Sequence, residues 1–270
     1  MTTTDAVGVA VAQFAPTTDT AENLRVIEGF AATAARRGAR VVLFPEYSSY
    51  FVDPFDETLA AAAEDLDGPF VGALVRIADA HGVHVVAGMV ERAGDGRRVR
   101  NTVVAVDGDG LRAGYRKQHL YDAFGQRESD WIEPGQPGAP ETFEVDGLRF
   151  ALMTCYDLRF PEAARVLADA GAHVILVPAE WVRGPLKEDH WQTLLRARAI
   201  ENTLFVAASD HPPPVGVGRS AVIDPQGVEI AAVGTATDVA VAFLDAAAVD
   251  RVRRVNPALS LRRYRVVPRD

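Results

Sequence analysis

The chain has 270 residues, 48% of them hydrophobic, and a formal net charge of −9. This length and apolar content suffice for one large domain or two small ones, and the acidic balance argues against a nucleic-acid partner or an anionic membrane surface. The single cysteine excludes an intramolecular disulfide and fits a reducing compartment.

The amino-terminal half predicts alternating strands and helices. Residues 1–5 contain no basic region followed by an apolar one, so we expect no signal peptide, and no uncharged apolar run is long enough to cross a bilayer. These features favour a cytoplasmic protein. Apolar runs predict buried strands, and amphipathic segments with capping signals predict helices. The strands are predicted at 7–14, 41–44 and 83–90, the helices at 19–38 and 67–82, and a hairpin at 101–106 and 111–115.

A proline- and glycine-rich loop at 121–140 precedes a second half with a similar order of elements, and its length suggests a functional role. The strands of this half are predicted at 173–178, 204–209 and 239–244, the helices at 161–171 and 186–202, and the hairpins at 142–154 and 219–233. The repeated order predicts two similar sheets packed together with helices outside, in a single domain covering 1–270.

The tail at 251–270 holds seven arginines and few acids. It is compatible with a solvated end. Apolar residues interleave the charges, however, and we therefore interpret 251–270 as an arm that pairs with a second subunit. These residues are Val255, Leu259, Leu261, Tyr264 and Val266.

Cys155 lies where an apolar run ends and the chain turns toward a helix that begins at Pro161. Such a place suits a nucleophile, since backbone N–H groups are free there and a helix N-terminus lowers a thiol pKa. The alternative is a buried structural cysteine, because free cysteines are among the most buried residues.

A cysteine nucleophile needs a base and a group that stabilises an oxyanion. None of the six histidines has an obvious place as the base. Glu46 follows a buried strand, and Lys117 follows a hairpin. Each alone is compatible with an ordinary surface charge, but together with Cys155 they form the set that a buried Glu-Lys-Cys site requires. Glu46 and Cys155 each follow a strand end, where ligands bind in such sheets.

Three blocks of the chain, in order, resemble the signature blocks of the nitrilase superfamily of carbon–nitrogen hydrolases. The resemblance extends to 128–130 and 195–202 and covers the chain from Val7 to about Leu261. The three blocks are Phe44-Pro45-Glu46-Tyr47, Tyr115-Arg116-Lys117-Gln118-His119-Leu120 and Thr154-Cys155-Tyr156-Asp157-Leu158-Arg159-Phe160-Pro161-Glu162.

The resemblance implies a four-layer αββα sandwich of two packed sheets with outer helices, assembled into a homodimer or a larger homo-oligomer. It implies that Glu46 is the general base and Cys155 the nucleophile that forms a thioester. Lys117 then stabilises the oxyanion, and Glu128 holds Lys117, which keeps its charge between two carboxylates. No metal or other cofactor is implied.

The segments around Tyr156 and at 120–124 are similar to the amidase branch that includes omega-amidases and deaminated-glutathione amidases. This resemblance implies a small carboxylated amide as substrate, with release of ammonia. Arg159 is expected to pair with the substrate carboxylate or, alternatively, to brace a loop with Asp157. The resemblance implies that Tyr156 binds the substrate through its backbone N–H, as a second donor to the oxyanion. Trp181 is expected at the pocket wall, although it suits the core equally well. Nitrile or N-carbamoyl hydrolysis, a noncatalytic protein and a redox thiol remain the alternatives.

Overall fold

Two six-stranded sheets lie at the centre of the fold, in a computed structural model that describes residues 6–94 and 96–269. Residues 1–5, on which the expectation of no signal peptide rests, lie outside the described residues. The strands, in chain order, are β1 (Val7–Gln13), β2 (Ala39–Leu43), β3 (His84–Arg92), β4 (Val99–Asp107), β5 (Gly110–Arg116), β6 (Thr142–Val145), β7 (Leu148–Leu152), β8 (Val174–Pro178), β9 (Phe205–Ser209), β10 (Ala221–Ile223), β11 (Glu229–Ala232) and β12 (Asp238–Leu244).

The two sheets share one topology, as the repeated order of elements predicts. The first has the order β12-β1-β2-β3-β4-β5 and the second β11-β10-β9-β8-β7-β6. In each sheet three neighbouring strands run parallel, β1 to β3 in the first and β7 to β9 in the second. The remaining pairs are antiparallel, which includes all the predicted hairpins.

The helices are α1 (Thr20–Arg36), α2 (Thr58–Ala62), α3 (Pro69–His81), α4 (Pro161–Asp169), α5 (Lys187–Asn202) and α6 (Ala246–Val255). The cap signals read from the sequence operate as expected. The Asp19 carboxylate accepts the N–H groups of Ala21 and Glu22 at 2.9 and 3.1 Å, which starts α1. Gly82 ends α3 with φ +63°, a conformation that glycine adopts without a Cβ clash. Within the described ranges, no helix combines the length and apolarity needed to span a bilayer.

Alternation along β1 shows how the layers form. Val7, Val9 and Val11 pack into a core shared by both sheets, whereas Ala10 and Ala12 pack against the layer that contains α1 and α3. A third apolar cluster joins the outer face of the second sheet to α4 and α5. The predicted four-layer αββα sandwich is therefore confirmed.

Two helices were not predicted from the sequence. The first, α2, is a single short turn, and the second, α6, occupies 246–255 and so includes the first five residues of the predicted arm. Val249 of α6 is fully buried in the core between the sheets. Beyond the helix, Tyr264 is 92% exposed, and Arg262 pairs with Asp169 on α4. The pairing of this arm with a second subunit stays a prediction.

The sandwich brings several strand ends to one place. Glu46 lies three residues beyond β2, Lys117 directly follows β5, and Cys155 lies three residues beyond β7. Glu180 lies two residues beyond β8. All four positions follow the carboxyl ends of their strands, where ligand sites in such sheets occur.

Candidate active site

The structure brings Glu46, Lys117, Glu128 and Cys155 together. The ammonium of Lys117 lies 3.0 Å from Glu46 Oε1 and 2.9 Å from both carboxylate oxygens of Glu128. These three charged side chains are all buried. Lys117, Glu128 and Cys155 line a cavity of about 310 Å³, and Glu46 lies against Lys117. The convergence expected from the three sequence blocks is thus present in the fold.

Residue 180 connects the Glu46 carboxylate to the thiol. The backbone N–H of Glu180 donates to Glu46 Oε2 at 2.6 Å, and the carbonyl oxygen of Glu180 accepts from Cys155 Sγ at 3.4 Å. Asn101 Nδ2 donates to Glu46 Oε1 at 2.5 Å. The carboxylate of Glu46 is therefore held by one cation and two neutral donors, which fixes its orientation next to the nucleophile candidate.

A buried hydrogen-bond network shapes the turn that carries Cys155. Cys155 has φ +43°, in the left-handed region that costs a non-glycine residue about 1 kcal/mol. Asp157, fully buried, accepts the backbone N–H of Thr154 at 3.0 Å and the hydroxyl of Tyr115 at 2.8 Å. It also lies 2.6 Å from Nδ1 of His119. Asp157 thus holds the turn in a conformation that the chain would not otherwise prefer.

The charge state of Lys117 follows from two opposed effects. Burial lowers the pKa of its ammonium, but the negative charges of Glu128 and Glu46 outweigh burial, and the net pKa lies well above the ordinary value. Lys117 therefore stays an ammonium despite its burial, as the sequence predicts. A fixed positive charge next to a cysteine is suited to stabilising a developing oxyanion.

The thiol of Cys155 behaves differently from the expectation. Burial raises its pKa, the charge of Glu46 raises it further, and Lys117 only partly opposes them, so the net pKa lies well above the ordinary value. The expectation that a helix N-terminus lowers this pKa is wrong, because the sulfur is buried at the short turn Cys155–Arg159, close to the charge of Glu46. A base must therefore remove its proton when it attacks.

Tyr156, Arg159 and Trp181, for which substrate binding is predicted, all line the cavity. The guanidinium carbon of Arg159 lies 4.9 Å from the ring centroid of Trp181 and 5.9 Å from that of Tyr156. Its Nη2 contacts His190 Nδ1 at 3.3 Å, and its Nε is buried without a hydrogen-bond partner in the described part of the chain. No ion pair to Asp157 is found among the described residues, so the loop-bracing alternative is not supported.

Lys187 is a further cation of this cavity, and the sequence analysis missed it. Its ammonium donates to the hydroxyl of Tyr121 at 2.7 Å and lies 4.4 Å from the ring centroid of Phe124. Burial, followed by the charge of Arg159, lowers its pKa. Across 6–94 and 96–269, no carboxylate pairs with Lys187 or with Arg159. A lysine at the first residue of a helix is unfavourable with respect to the helix dipole, and this position could have indicated a functional role for Lys187.

Three more residues of the site were missed. Glu180 lines the cavity, and Asn101 and His211 contact Glu46. Nε2 of His211 lies 2.7 Å from the backbone oxygen of Glu46, and burial lowers the pKa of this histidine to about 4. Glu180 follows a strand and a proline, as Glu46 does, so its position offered a signal. Among the described residues, no group of three potential ligands is arranged to hold a metal ion.

The comparisons with known proteins agree with this arrangement. The profile of the carbon–nitrogen hydrolase family matches residues 8–254. The deaminated glutathione amidase of Escherichia coli O157:H7 is 37% identical over 256 residues, which cover 95% of this chain and 97% of that protein. The 2-oxoglutaramate amidase of Bacillus subtilis is 35% identical over 245 residues, covering 87% and 89%.

A solved structure of an amidase from Nesterenkonia sp. matches with a TM-score of 0.81 and 28% identity, covering 96% of this chain and 94% of that one. Its fold is thus the same over nearly the full length of both chains. From the family match, these relatives and the shared fold, the chain belongs to the carbon–nitrogen hydrolase family, within the nitrilase superfamily, and is an amide-hydrolysing enzyme.

Proposed function

We propose that the enzyme hydrolyses a small carboxylated amide through a thioester on Cys155 and releases ammonia. The observation that carries this proposal is the buried Glu46–Lys117–Glu128 cluster, which residue 180 joins to the thiol through two main-chain hydrogen bonds. In this proposal Glu46 is the general base, Lys117 the oxyanion stabiliser and Cys155 the nucleophile.

Acylation uses the proton of the thiol. Glu46 takes this proton while the sulfur attacks the amide carbon, and the C=O electrons move onto oxygen. Lys117 and the backbone N–H of Tyr156 stabilise that oxyanion. Glu46 then gives the proton to the nitrogen, the C–N bond breaks, and ammonia leaves. The raised pKa of the Cys155 thiol supports a role for such a base.

Deacylation repeats the same steps with water. Glu46 takes a proton from water, the oxygen attacks the thioester carbon, and the C–S bond breaks as the sulfur recovers the proton. Glu128 holds Lys117 in place through both halves with two contacts of 2.9 Å. Splitting one hard hydrolysis into two easier steps is the advantage of covalent catalysis.

Arg159 and Lys187 support a carboxylated substrate. Both cations line the cavity, and neither pairs with an acid in the described part of the chain. Arginine suits a carboxylate because its planar group makes two parallel hydrogen bonds. Trp181 packs between the cavity and Trp191, with its ring nitrogen donating to the backbone oxygen of Lys187, and forms the wall behind both cations.

The names of similar proteins support the same reaction. Two relatives are named deaminated glutathione amidase and 2-oxoglutaramate amidase. A variant of the Nesterenkonia amidase carries the acetamide moiety of fluoroacetamide, covalently added at its active site cysteine. A redox role for Cys155 is less favoured, since oxidation requires an accessible thiolate, and this thiol is buried with a raised pKa.

Three wider expectations belong to this proposal. We place the enzyme in the cytoplasm, where reducing conditions keep a catalytic thiol free. We expect a homodimer or larger homo-oligomer in which the arm at 251–270 contacts a second copy. We also expect that 1–270 works as one domain.

The test is release of ammonia from glutaramate, succinamate, N-carbamoyl amino acids and short nitriles. Wild type should release ammonia from the two amides, and Cys155→Ala should lower kcat/KM by at least about 10⁴-fold, as expected for loss of a nucleophile. Acid quenching during turnover should trap an acyl group on Cys155, seen by mass spectrometry. Equal release by both proteins contradicts the proposal, and release from nitriles alone moves the reaction to nitrile hydrolysis.

A further inference from the structure

The side chain of Glu180 has no role in the mechanism above, although it lies beside the nucleophile. Its main chain binds both reactive groups, with the N–H on Glu46 and the carbonyl oxygen 3.4 Å from the sulfur of Cys155. The Cα of Glu180 is one bond from that carbonyl. Its side chain therefore leaves the backbone close to the place where the acyl carbon of a substrate must bind, and it lines the cavity.

The carboxyl of Glu180 has no ion pair among the described residues. Lys117 is shared between Glu46 and Glu128, and no hydrogen bond or ion pair reaches the Glu180 carboxyl oxygens from the residues that the structure describes. Burial raises its pKa, the charges of Glu46 and of Asp210 raise it further, and the charge of Lys117 opposes them only in part. An ionised carboxylate in a cavity that closes around a substrate costs free energy unless a cation or several N–H donors meet it.

The two cations at the aromatic wall of the cavity do not supply that partner. Arg159 and Lys187 lie over the rings of Trp181 and Phe124, and no ion pair joins either of them to Glu180. Lys187 is held instead by the hydroxyl of Tyr121. Among the described residues, the cavity thus has an acid without an ion pair next to the thiol and two cations without an ion pair at its aromatic wall. A ligand that satisfies both has a positive group near the scissile bond and a negative group further away.

We propose that Glu180 binds an ammonium group on the carbon next to the scissile amide, so that preferred substrates are α-amino amides with a carboxylate at their far end. This inference rests on the proposed function and narrows its substrate class. The ammonium donates N–H bonds to Glu180, while the carboxylate binds Arg159 and Lys187. A substrate without the ammonium leaves the Glu180 carboxyl unpaired when the cavity loses its water, and sites of this kind reject such analogues.

Three five-carbon amides with the same amide-to-carboxylate separation test the proposal. Isoglutamine has its ammonium next to the amide, glutamine has it next to the carboxylate, and glutaramate has none. Wild type should show a kcat/KM for isoglutamine at least about 10-fold above that for the other two, the size expected for one charge-assisted contact in a partly solvated site. The readout is the initial rate of ammonia release.

Glu180→Gln removes the charge and preserves both main-chain contacts and the shape of the side chain. It should lower the ratio of kcat/KM for isoglutamine to kcat/KM for glutaramate about 10- to 100-fold, so that the preference disappears. Glu180→Ala should do the same. Glu28→Gln, an equal change at an exposed position on α1, should alter neither substrate.

The outcomes separate the two proposals. Hydrolysis of glutaramate at or above the rate for isoglutamine overturns the ammonium subsite while the chemistry of Cys155 stands. An equal loss for both substrates in Glu180→Gln also overturns it, because that result assigns the side chain to catalysis or folding. Activity that persists in Cys155→Ala overturns the proposed function itself.

Discussion

At the scale of single residues, the burial of Lys117 between Glu46 and Glu128 has a measurable energetic consequence. Lys117→Met leaves two carboxylates without their shared cation, and an unpaired buried charge costs about 3–5 kcal/mol. We expect urea unfolding to show that the free energy of unfolding of Lys117→Met is lower than that of wild type by this amount. Adding Glu128→Gln to Lys117→Met should restore about 1–2 kcal/mol, because one of the two stranded charges is then removed.

Glu128→Gln alone supplies the fourth corner of this double-mutant cycle. Both single variants and the double variant should have lost nearly all amidase activity, so recovery is expected in stability only. If the losses in free energy of unfolding are additive, with no coupling between positions 117 and 128, then Lys117 does not compensate the charge of Glu128 as the distances indicate.

The residues that sequence analysis located and those that it missed differ in how they act. Glu46, Lys117 and Cys155 stand out locally, since each is a reactive type at a strand or hairpin end. Asn101 lies within β4 and acquires its role only because the fold places its amide 2.5 Å from a carboxylate 55 positions away. No local pattern contains that information. Lys187 and Glu180 are intermediate cases, because the position of each at an element end was informative.

At the scale of elements, the close approach of β3 to the segment after β2 positions the general base candidate. A Cβ built on Gly88 would lie 2.7 Å from the Cα of Glu46 and 2.6 Å from the backbone nitrogen of Tyr47. Backbone atoms at these distances must move. Gly88→Ala should therefore displace Glu46 and lower kcat by about 100-fold with a smaller change in KM, since misplacement of reacting groups by about 1 Å has that effect.

Gly29→Ala is the matched control, because its added Cβ meets no atom within 4 Å on the exposed face of α1. It should leave kcat unchanged and raise the free energy of unfolding by about 0.5–1 kcal/mol through helix propensity. A Gly88→Ala enzyme with wild-type kcat would mean that β3 does not fix the base.

The same scale explains which elements sequence reasoning found. Long amphipathic helices such as α1 and buried strands such as β1 carry a clear period and cap signals, and their predicted bounds are confirmed within a few residues. The five residues of α2 are too few to show a period. The α6 helix ends inside an arginine-rich segment, so composition obscured a helix whose Val249 packs into the core.

At the scale of the whole molecule, the buried His211 links stability to pH. Burial lowers its folded pKa to about 4, whereas an unfolded histidine titrates near 6.5. Between these values the unfolded chain binds a proton that the folded chain refuses, so the free energy of unfolding falls as the pH falls through this window. The full effect by pH 4 is about 3 kcal/mol.

Urea unfolding of wild type and His211→Gln at pH 4.5, 5.5 and 7 measures this contribution. The difference in the free energy of unfolding between the two proteins should shrink as the pH falls, because only wild type is destabilised by protonation of His211 in its unfolded state. Glu180 and Asp210 have raised pKa values and oppose the trend, but they are present in both proteins and cancel in the difference. Parallel pH profiles would contradict the burial of a neutral His211.

The layered architecture could be predicted from the sequence, because hydrophobic periodicity and the repeated order of elements indicate which faces of the strands and helices are buried. Oligomeric assembly could not be predicted in this way, since it depends on surface residues that show no hydrophobic periodicity. Val255, the last residue of α6, and Tyr264 in the arm beyond it are both largely exposed, and the role of this arm between subunits stays a prediction.

The double use of residue 180 has a consequence for redesign. Its peptide groups hydrogen-bond to the carboxylate of Glu46 and to the sulfur of Cys155, and any side chain except that of proline, which lacks the N–H, is compatible with both bonds. Variants randomised at this codon alone should therefore retain the catalytic groups in place and differ in their preference for charged substrates. The side chain of residue 180 determines substrate preference and its main chain positions the reactive groups, so the first can be changed without the second.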